Sequence, residues 1–232
     1  MTDPVQRSWI DIGPGYAGYL ALPPARKGPG LLLLQEIFGV NEHIRAVADQ
    51  YALDGFVVLA PDLFWRQAPR VELGYAGDDM TRARALMQAY TAEQAIADLG
   101  VATRVLRARP EVGAAKVGAV GYCMGGRMAW FAAATAGVDA AVPYYGGGIH
   151  MNLQHAATVR CPMQFHYAGH DDHIPPEAVA AVRAALPASR AEVHVYAEAH
   201  HGFNCWARGS YHAPSAALAH GRALAFLAAH LY

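Results

Sequence analysis

The stretch that decides the fold is Lys116-Val-Gly-Ala-Val-Gly-Tyr-Cys-Met-Gly-Gly-Arg-Met-Ala-Trp130. Its first part is a short apolar run typical of a buried strand, and the Met, Ala and Trp side chains after Cys123 have helical spacing. Gly121 and Gly125 flank Cys123 in the pattern Gly-x-Cys-x-Gly, a nucleophile elbow with sulfur in place of the usual serine oxygen. The stretch therefore predicts a strand, a sharp turn and a helix. Cys123 would lie at the helix N-terminus, where free amide groups favour a thiolate.

The pattern around Cys123 also has a structural interpretation. A cysteine beside glycines in an apolar turn is often only a small buried hydrophobic residue. Five residues do not distinguish the two interpretations, because short motifs match by chance. The decision therefore depends on what the rest of the chain places near Cys123.

The remaining sequence alternates buried strands with helices. A hairpin is predicted over 8–12 and 16–21, and the helix signals include an Asn41 N-cap and a Thr91 capping box with Gln94. Further strands are predicted over 30–34, 56–60, 140–145, 163–168 and 191–196, and helices over 91–109, 176–186 and 212–231. This alternation predicts an α/β fold: a single domain over residues 1–232, with a doubly wound, mainly parallel sheet and helices on both faces.

Composition limits the classes of partner. The 232-residue chain has a net charge of −1 and only 16% charged residues, so it has no basic surface for nucleic acid and no polybasic membrane patch. A small-molecule partner is expected. Three cysteines without Cys-x-x-Cys spacing argue against a disulfide framework and a structural zinc site. The N-terminal sequence lacks an apolar signal region and no stretch is long enough to span a membrane, so we expect a cytoplasmic protein.

Chemically active residues follow four of the predicted strands. In a parallel sheet, ligands bind beyond the carboxyl ends of the strands. Glu36, Cys123, a run with Asp171 and Asp172, and a run with His200 and His201 occupy such positions. The chain order of nucleophile, acid and histidine is the order of α/β-hydrolases, which favours the catalytic interpretation of Cys123.

Four motifs then carry a resemblance to a known family. They are Gln35-Glu36-Ile37-Phe38-Gly39-Val40-Asn41, Gly121-Tyr122-Cys123-Met124-Gly125-Gly126, Gly169-x-Asp171 with Ile174-Pro175, and His201-Gly202-Phe203. With them the chain resembles the dienelactone hydrolases, which are carboxymethylenebutenolidase-like α/β-hydrolases. The resemblance implies a Cys123–His201–Asp171 triad without a cofactor, with Glu36 close to the thiol. The resemblance also implies an oxyanion hole formed by the backbone amides of Met124 and Ile37.

Alternatives exist beside two of these residues and for a metal. Asp172 adjoins Asp171 and His200 adjoins His201, and only the family's spacing favours Asp171 and His201. Twelve histidines invite a metal interpretation, but no His-x-x-x-His pair lies on a convincing helix. The sequence therefore predicts no metal site, and its glycines match no nucleotide-binding motif.

Substrate recognition is where the chain departs from the family. The resemblance implies two arginines that bind a substrate carboxylate. Arg82 and Arg84 are candidates for the first, and Cys205 stands at the position of the second. The other candidate substrate-binding residues are Phe38, Trp65, Tyr145, Phe203, Trp206 and Arg208. Because a cysteine lacks the charged fork of arginine, we expect weaker selection for an anionic lactone and better turnover of neutral substrates along Phe64, Trp65 and Trp206.

The predicted function is hydrolysis of a small lactone or ester through a thioester acyl-enzyme on Cys123. Two alternatives remain open. One is a hydrolase for an unrelated neutral ester or thioester, and the other is a non-catalytic small-molecule binder on the same fold. A monomer or weak homodimer is expected.

Overall fold

The structure, a computed structural model, describes residues 4–232, so the first three residues of the predicted domain lie outside the described residues. In chain order its elements are β1 (Gln6–Gly13), β2 (Tyr16–Leu22), β3 (Gly30–Leu34), α1 (Glu42–Leu53), β4 (Val57–Pro61), α2 (Gly77–Ala89), α3 (Ala92–Arg107), β5 (Val117–Tyr122), α4 (Met124–Phe131), β6 (Ala140–Tyr144), β7 (Met163–His170), α5 (Pro176–Ala185), β8 (Ala191–His200) and α6 (Ala213–Leu231). A π-helical turn, Ala132–Ala136, extends α4, and a 3₁₀ segment, Ile149–Thr158, follows β6.

Within the described residues, one eight-stranded sheet has the order β1-β2-β4-β3-β5-β6-β7-β8. The β1–β2 and β2–β4 pairs are antiparallel and the other pairs are parallel, which confirms the predicted mainly parallel sheet. Strands β3, β4, β5 and β6 are buried along their whole length, as expected of strands covered on both faces. The direction of winding reverses between β3 and β5, and such a reversal opens a crevice at the carboxyl ends of the strands.

Two of the predicted helix starts are confirmed in detail. The Asn41 side chain accepts a hydrogen bond from the amide of Ile44 at 3.2 Å and begins α1. Thr91 and Gln94 exchange the two hydrogen bonds of a capping box at the start of α3. These local contacts satisfy amide groups that a helix leaves free at its N-terminus.

The structure also contains elements that the sequence analysis did not predict. Helix α2 has no side-chain N-cap and buries only Ala83 among its described residues, so it lacks the apolar stripe that identifies a helix in sequence. The 3₁₀ segment after β6 was missed as well. Strands β7 and β8 continue past their predicted ends to His170 and His200, which brings Asp171 and His201 directly onto strand ends.

No helix among residues 4–232 combines the length and the hydropathy that a membrane crossing requires.

The turn at Cys123 depends on close backbone packing. Cys123 has φ 55° and ψ −114°, a conformation that L residues rarely adopt. A Cβ atom on Gly121 would overlap the carbonyl oxygen of Gly125, and one on Gly125 would overlap the carbonyl oxygen of Leu34. The two glycines therefore let α4 begin directly against β3 and β5.

We expect Gly121→Ala to lower the free energy of unfolding by about 1–3 kcal/mol, because the added methyl group meets backbone that has no space to move. The matched control is Gly221→Ala in α6, where an added Cβ has no heavy atom within 4 Å. That substitution should raise stability by up to about 1 kcal/mol through helix propensity. Denaturant unfolding of both variants measures the difference, and equal stabilities would contradict the close-packing argument.

Candidate active site

The structure brings His201 and Asp171 into direct contact. Nδ1 of His201 lies 2.8 Å from Oδ2 of Asp171, and their side chains are 10% and 1% exposed. The other carboxylate oxygen of Asp171 accepts a hydrogen bond from the amide of His173 at 2.9 Å. A backbone amide thus fixes one oxygen of the Asp171 carboxylate, and the other oxygen fixes the imidazole of His201.

The neighbouring residues that sequence alone left as alternatives lie elsewhere. Asp172 is exposed, and so is His200. The ring of His200 faces His170, with ring centroids 5.5 Å apart. Residues 171 and 201 point into the structure, whereas residues 172 and 200 point to solvent.

Cys123 and Asp171 control the charge of His201. Burial lowers the pKa of His201, but the charges and hydrogen bonds of Cys123 and Asp171 outweigh burial and raise the pKa to about 10. The imidazole is therefore protonated at neutral pH in their presence. The ring of Tyr145 packs edge-on against that of His201, with centroids 5.1 Å apart, and fixes its plane.

Glu36 and Arg208 form a second, largely buried ion pair in the site. Nη1 of Arg208 donates to Oε1 of Glu36 at 3.0 Å. Burial raises the pKa of Glu36, and the charge of Arg208 opposes this effect. Gly202 has φ 82°, and a Cβ atom there would overlap the guanidinium of Arg208. The glycine of the His-Gly-Phe motif thus leaves space for this arginine.

These groups meet at a cavity of about 440 Å³, a volume suited to a small ligand. Cys123 and His201 line it, together with Ile37 and Met124, the predicted oxyanion-hole residues. As the first residue of α4, Met124 has an amide without a carbonyl partner inside the helix. The remaining lining residues are Phe38, Met80, Arg84, Met87, Arg127, Gly147, Gly148, His150, Met151, His173 and Arg208.

The predicted substrate-binding residues divide into two groups. Phe38, Arg84 and Arg208 line the cavity, whereas Arg82 is exposed outside its wall. Trp65, Tyr145, Phe203 and Trp206 also lie outside the wall. Trp65 stacks on Tyr16, Trp206 packs against His43, and Tyr145 and Phe203 are buried behind His201.

The expectation of weak anion selection stays a prediction, but two of its premises require correction. It assumed that Cys205 leaves the second arginine position empty and that Phe64, Trp65 and Trp206 form an aromatic route. The structure instead brings Arg208 into the cavity wall through the loop after β8. Phe64 is fully buried and neither tryptophan reaches the cavity, so no aromatic route exists among the described residues.

Sequence reasoning missed Arg127 and His150 in the cavity wall. Arg127 lies one helical turn after Cys123, a spacing that places both on the same face of a helix. Burial lowers the pKa of Arg127 and Cys123 raises it, and no carboxylate of the described residues contributes. His150 lies in the 3₁₀ segment after β6, a strand end for which no functional residue was predicted.

We expect the pKa of His201 to fall in Cys123→Ala, because the charge of Cys123 is the largest contribution that opposes burial. Titration of the imidazole Hε1 signal by NMR should show a lower midpoint for His201 in the variant than in the wild type. His200 is exposed and its signal is the internal control. An unchanged His201 titration would contradict the coupling.

Comparison with known proteins agrees with this geometry. The sequence profile of the Dienelactone hydrolase family matches residues 16–231. A carboxymethylenebutenolidase of Pseudomonas putida is 36% identical over 219 residues, which cover 93% of this chain and 92% of that protein. Another, from a Pseudomonas species, is 35% identical and covers 82% of this chain and 80% of its own.

Among solved structures, a dienelactone hydrolase homologue from Klebsiella pneumoniae superposes with a TM-score of 0.85 at 32% identity and covers 97% of this chain and 98% of its own. The eight-stranded α/β fold is thus shared with the family over nearly the whole chain. The chain belongs to the dienelactone hydrolase family and is a hydrolase that acts on lactone or ester bonds.

Proposed function

We propose that the protein opens a lactone that carries a carboxylate, through a thioester formed on Cys123. One observation carries the proposal: Cys123, at its strained turn, shares a cavity with the His201–Asp171 pair and with arginines that have space for an anion. The name of the relatives, carboxymethylenebutenolidase, denotes a lactone of this kind.

Acylation begins with attack of the Cys123 sulfur on the lactone carbonyl carbon. The carbonyl oxygen becomes an oxyanion, to which the amides of Met124 and Ile37 donate. The ring C–O bond then breaks as the carbonyl re-forms. The leaving oxygen takes a proton from the His201 imidazolium, which leaves His201 neutral beside the thioester.

Deacylation returns every group to its starting state. Neutral His201 accepts a proton from a water molecule as that water attacks the thioester carbonyl. The C–S bond breaks, the product leaves as the open hydroxy acid, and the pair of thiolate and imidazolium is restored. Asp171 holds Nδ1 of His201 throughout, so that Nε2 faces the reacting atoms.

Glu36 has a positioning role in this proposal. Its carboxylate binds Arg208 at 3.0 Å and so keeps the guanidinium at the cavity wall. The charge of Arg208 is thereby largely balanced inside the protein. Arg84 and Arg127 have no such carboxylate partner among the described residues, so their charges are available to a substrate anion.

The carboxylate of the lactone would bind between Arg84 and Arg127. Both residues line the cavity that contains Cys123, and arginine binds carboxylates with two parallel hydrogen bonds. Because Glu36 neutralises most of the charge of Arg208, Arg208 would limit the shape of the cavity more than it would attract the substrate anion. This arrangement supports an anionic substrate even though Cys205 replaces the arginine that the family resemblance implies.

A neutral ester is the second candidate substrate. Apolar side chains also line the cavity, among them those of Phe38, Met80, Met87 and Met151. Flexible methionines adapt to substrates of different shape, so they favour a broader range of esters. The relative turnover of charged and neutral substrates separates the two candidates.

Three further features stay predictions. The three cysteines are unpaired, which supports a reducing, cytoplasmic location. A monomer or weak homodimer is expected, and sedimentation of the purified protein would measure it. The boundaries of the single domain, 1–232, can be tested by limited proteolysis.

Cys123→Ala should abolish turnover of lactones and esters, because the variant cannot form the thioester. Cys161→Ala is the matched control, since Cys161 is buried beside a different cavity and should leave the rate nearly unchanged. Intact-mass measurement during turnover of a slow ester should show one acyl group on the wild type and none on Cys123→Ala. Normal turnover by Cys123→Ala would refute the proposed nucleophile.

The wild type should prefer dienelactone carboxylate over its methyl ester in kcat/KM, and Arg84→Gln should reduce that preference about tenfold or more through the loss of a charged hydrogen bond. Arg82→Gln is the control, because Arg82 is two residues away but exposed outside the cavity. Equal kcat/KM for the acid and the ester in the wild type would favour the neutral-ester candidate.

A further inference from the structure

A second group of potential ligands lies next to the catalytic cavity. Glu36, His43 and Cys205 are 1%, 4% and 0% exposed. One carboxylate oxygen, one ring nitrogen and the sulfur all lie within 4.8 Å of one another. His43 and Cys205 do not line the cavity that contains Cys123, and the proposed hydrolysis uses neither of them.

The Cys205 thiol contacts Tyr75, whereas other polar atoms of this group lack hydrogen-bond partners. Neither ring nitrogen of His43 has a partner among the described residues, and Oε2 of Glu36 has none either. Buried polar atoms are nearly always paired, because each unpaired one loses its hydration without compensation. An imidazole and a carboxylate oxygen that are both unpaired beside a thiol form a set of atoms that a bound cation would satisfy.

We propose that Glu36, His43 and Cys205 bind one divalent cation of the zinc type. Sulfur, imidazole nitrogen and carboxylate oxygen are the three ligand types that Zn²⁺ takes in proteins. Thiolate and imidazole together favour Zn²⁺ over Mg²⁺ or Ca²⁺, which prefer oxygen ligands. On binding, the Cys205 thiol releases its proton to solvent, and the thiolate then supplies negative charge at the ion beside the Glu36 carboxylate, which the ion shares with Arg208.

The distances between the three ligand atoms are close to those in a zinc site that holds its ion. Metal–ligand bonds of about 2.0–2.3 Å in tetrahedral geometry put ligand atoms roughly 3.3–3.8 Å apart. From separations within 4.8 Å, each pair of ligand atoms needs to approach by at most about 1.0–1.5 Å. Arg208 holds the other oxygen of Glu36, Oε1, so Oε2 can bind a cation without breaking that ion pair.

A separate cavity offers access to this group. It has a volume of about 450 Å³ and is lined by His43, Asn41, Tyr75 and Trp206. The ring of Trp206 packs against that of His43, with centroids 4.3 Å apart. A cation could reach the site from this side, and a water molecule in the cavity would complete four-coordination. Cys205 makes the site possible because an arginine at this position would repel a cation.

The first test uses a protein in which Cys205 is the sole cysteine, Cys123→Ala/Cys161→Ala. After removal of metals with a chelator, Zn²⁺ is titrated by calorimetry and Cd²⁺ by ultraviolet absorbance. We expect one ion per chain and a Cd²⁺–thiolate charge-transfer band, which only Cys205 can supply. Because this variant cannot form a thioester, the result does not depend on the proposed hydrolysis.

The second test removes ligands in the same background. His43→Ala and Cys205→Ala should each weaken Zn²⁺ binding by about 100-fold or more. Loss of a residue that only hydrogen-bonds to a metal ligand already weakens binding by about 10–100-fold, and loss of a ligand itself should cost at least as much. His200→Ala and His170→Ala are matched controls, because these histidines are exposed and should leave the affinity unchanged. Thermal unfolding confirms that each variant is folded.

Three results would overturn the proposal. The first is the absence of a charge-transfer band in the sole-cysteine protein. The second is Zn²⁺ binding that His43→Ala leaves intact and His200→Ala weakens. The third is an ion that the wild type binds and the sole-cysteine protein does not, since Cys123 or Cys161 would then be the ligand. If His43→Ala or Cys205→Ala fails to fold, the band in the sole-cysteine protein decides.

Discussion

The close approach of three backbone segments at Cys123 is the constraint on which the site depends. Helix α4 starts against β3 and β5 only because residues 121 and 125 have no side chains to separate them. Cys123 itself carries the strain, with φ 55°. Strained residues of this kind persist where the surrounding packing determines them, and they concentrate at functional sites. The packing of the sheet thus holds the sulfur at the crevice between β3 and β5.

Two ion pairs set the charges of the site. His201 and Asp171 keep a proton on the imidazole beside Cys123, while Glu36 holds Arg208 at the cavity wall. The four residues follow three different strands, β3, β7 and β8, so neither pair can form until the sheet is assembled. Burial strengthens both, because charges interact more strongly away from water.

The loop after β8 shows how one substitution is accommodated. Cys205 replaces an expected arginine, yet Arg208 reaches the same region and pairs with Glu36. Gly202 makes this possible by leaving space for the guanidinium. The same substitution leaves a thiol beside Glu36 and His43, in surroundings that supply no hydrogen-bond donor to Oε2 of Glu36 among the described residues.

Local patterns in the sequence determined the fold and predicted the reactive residues, although only the family's spacing favoured Asp171 and His201 over their neighbours. Apolar runs, the capping residues Asn41 and Thr91, and the glycines around Cys123 act within a few residues of chain, so the sequence displays them directly. Only the tertiary structure decided which residues line the cavity at Cys123. Arg84, Arg127, His150 and Arg208 meet through helices and loops with weak local signals, whereas Trp65 and Trp206 pack elsewhere. Which of these residues reach the cavity depends on packing between parts of the chain that are far apart in sequence. Patterns of neighbouring residues carry no information about such packing.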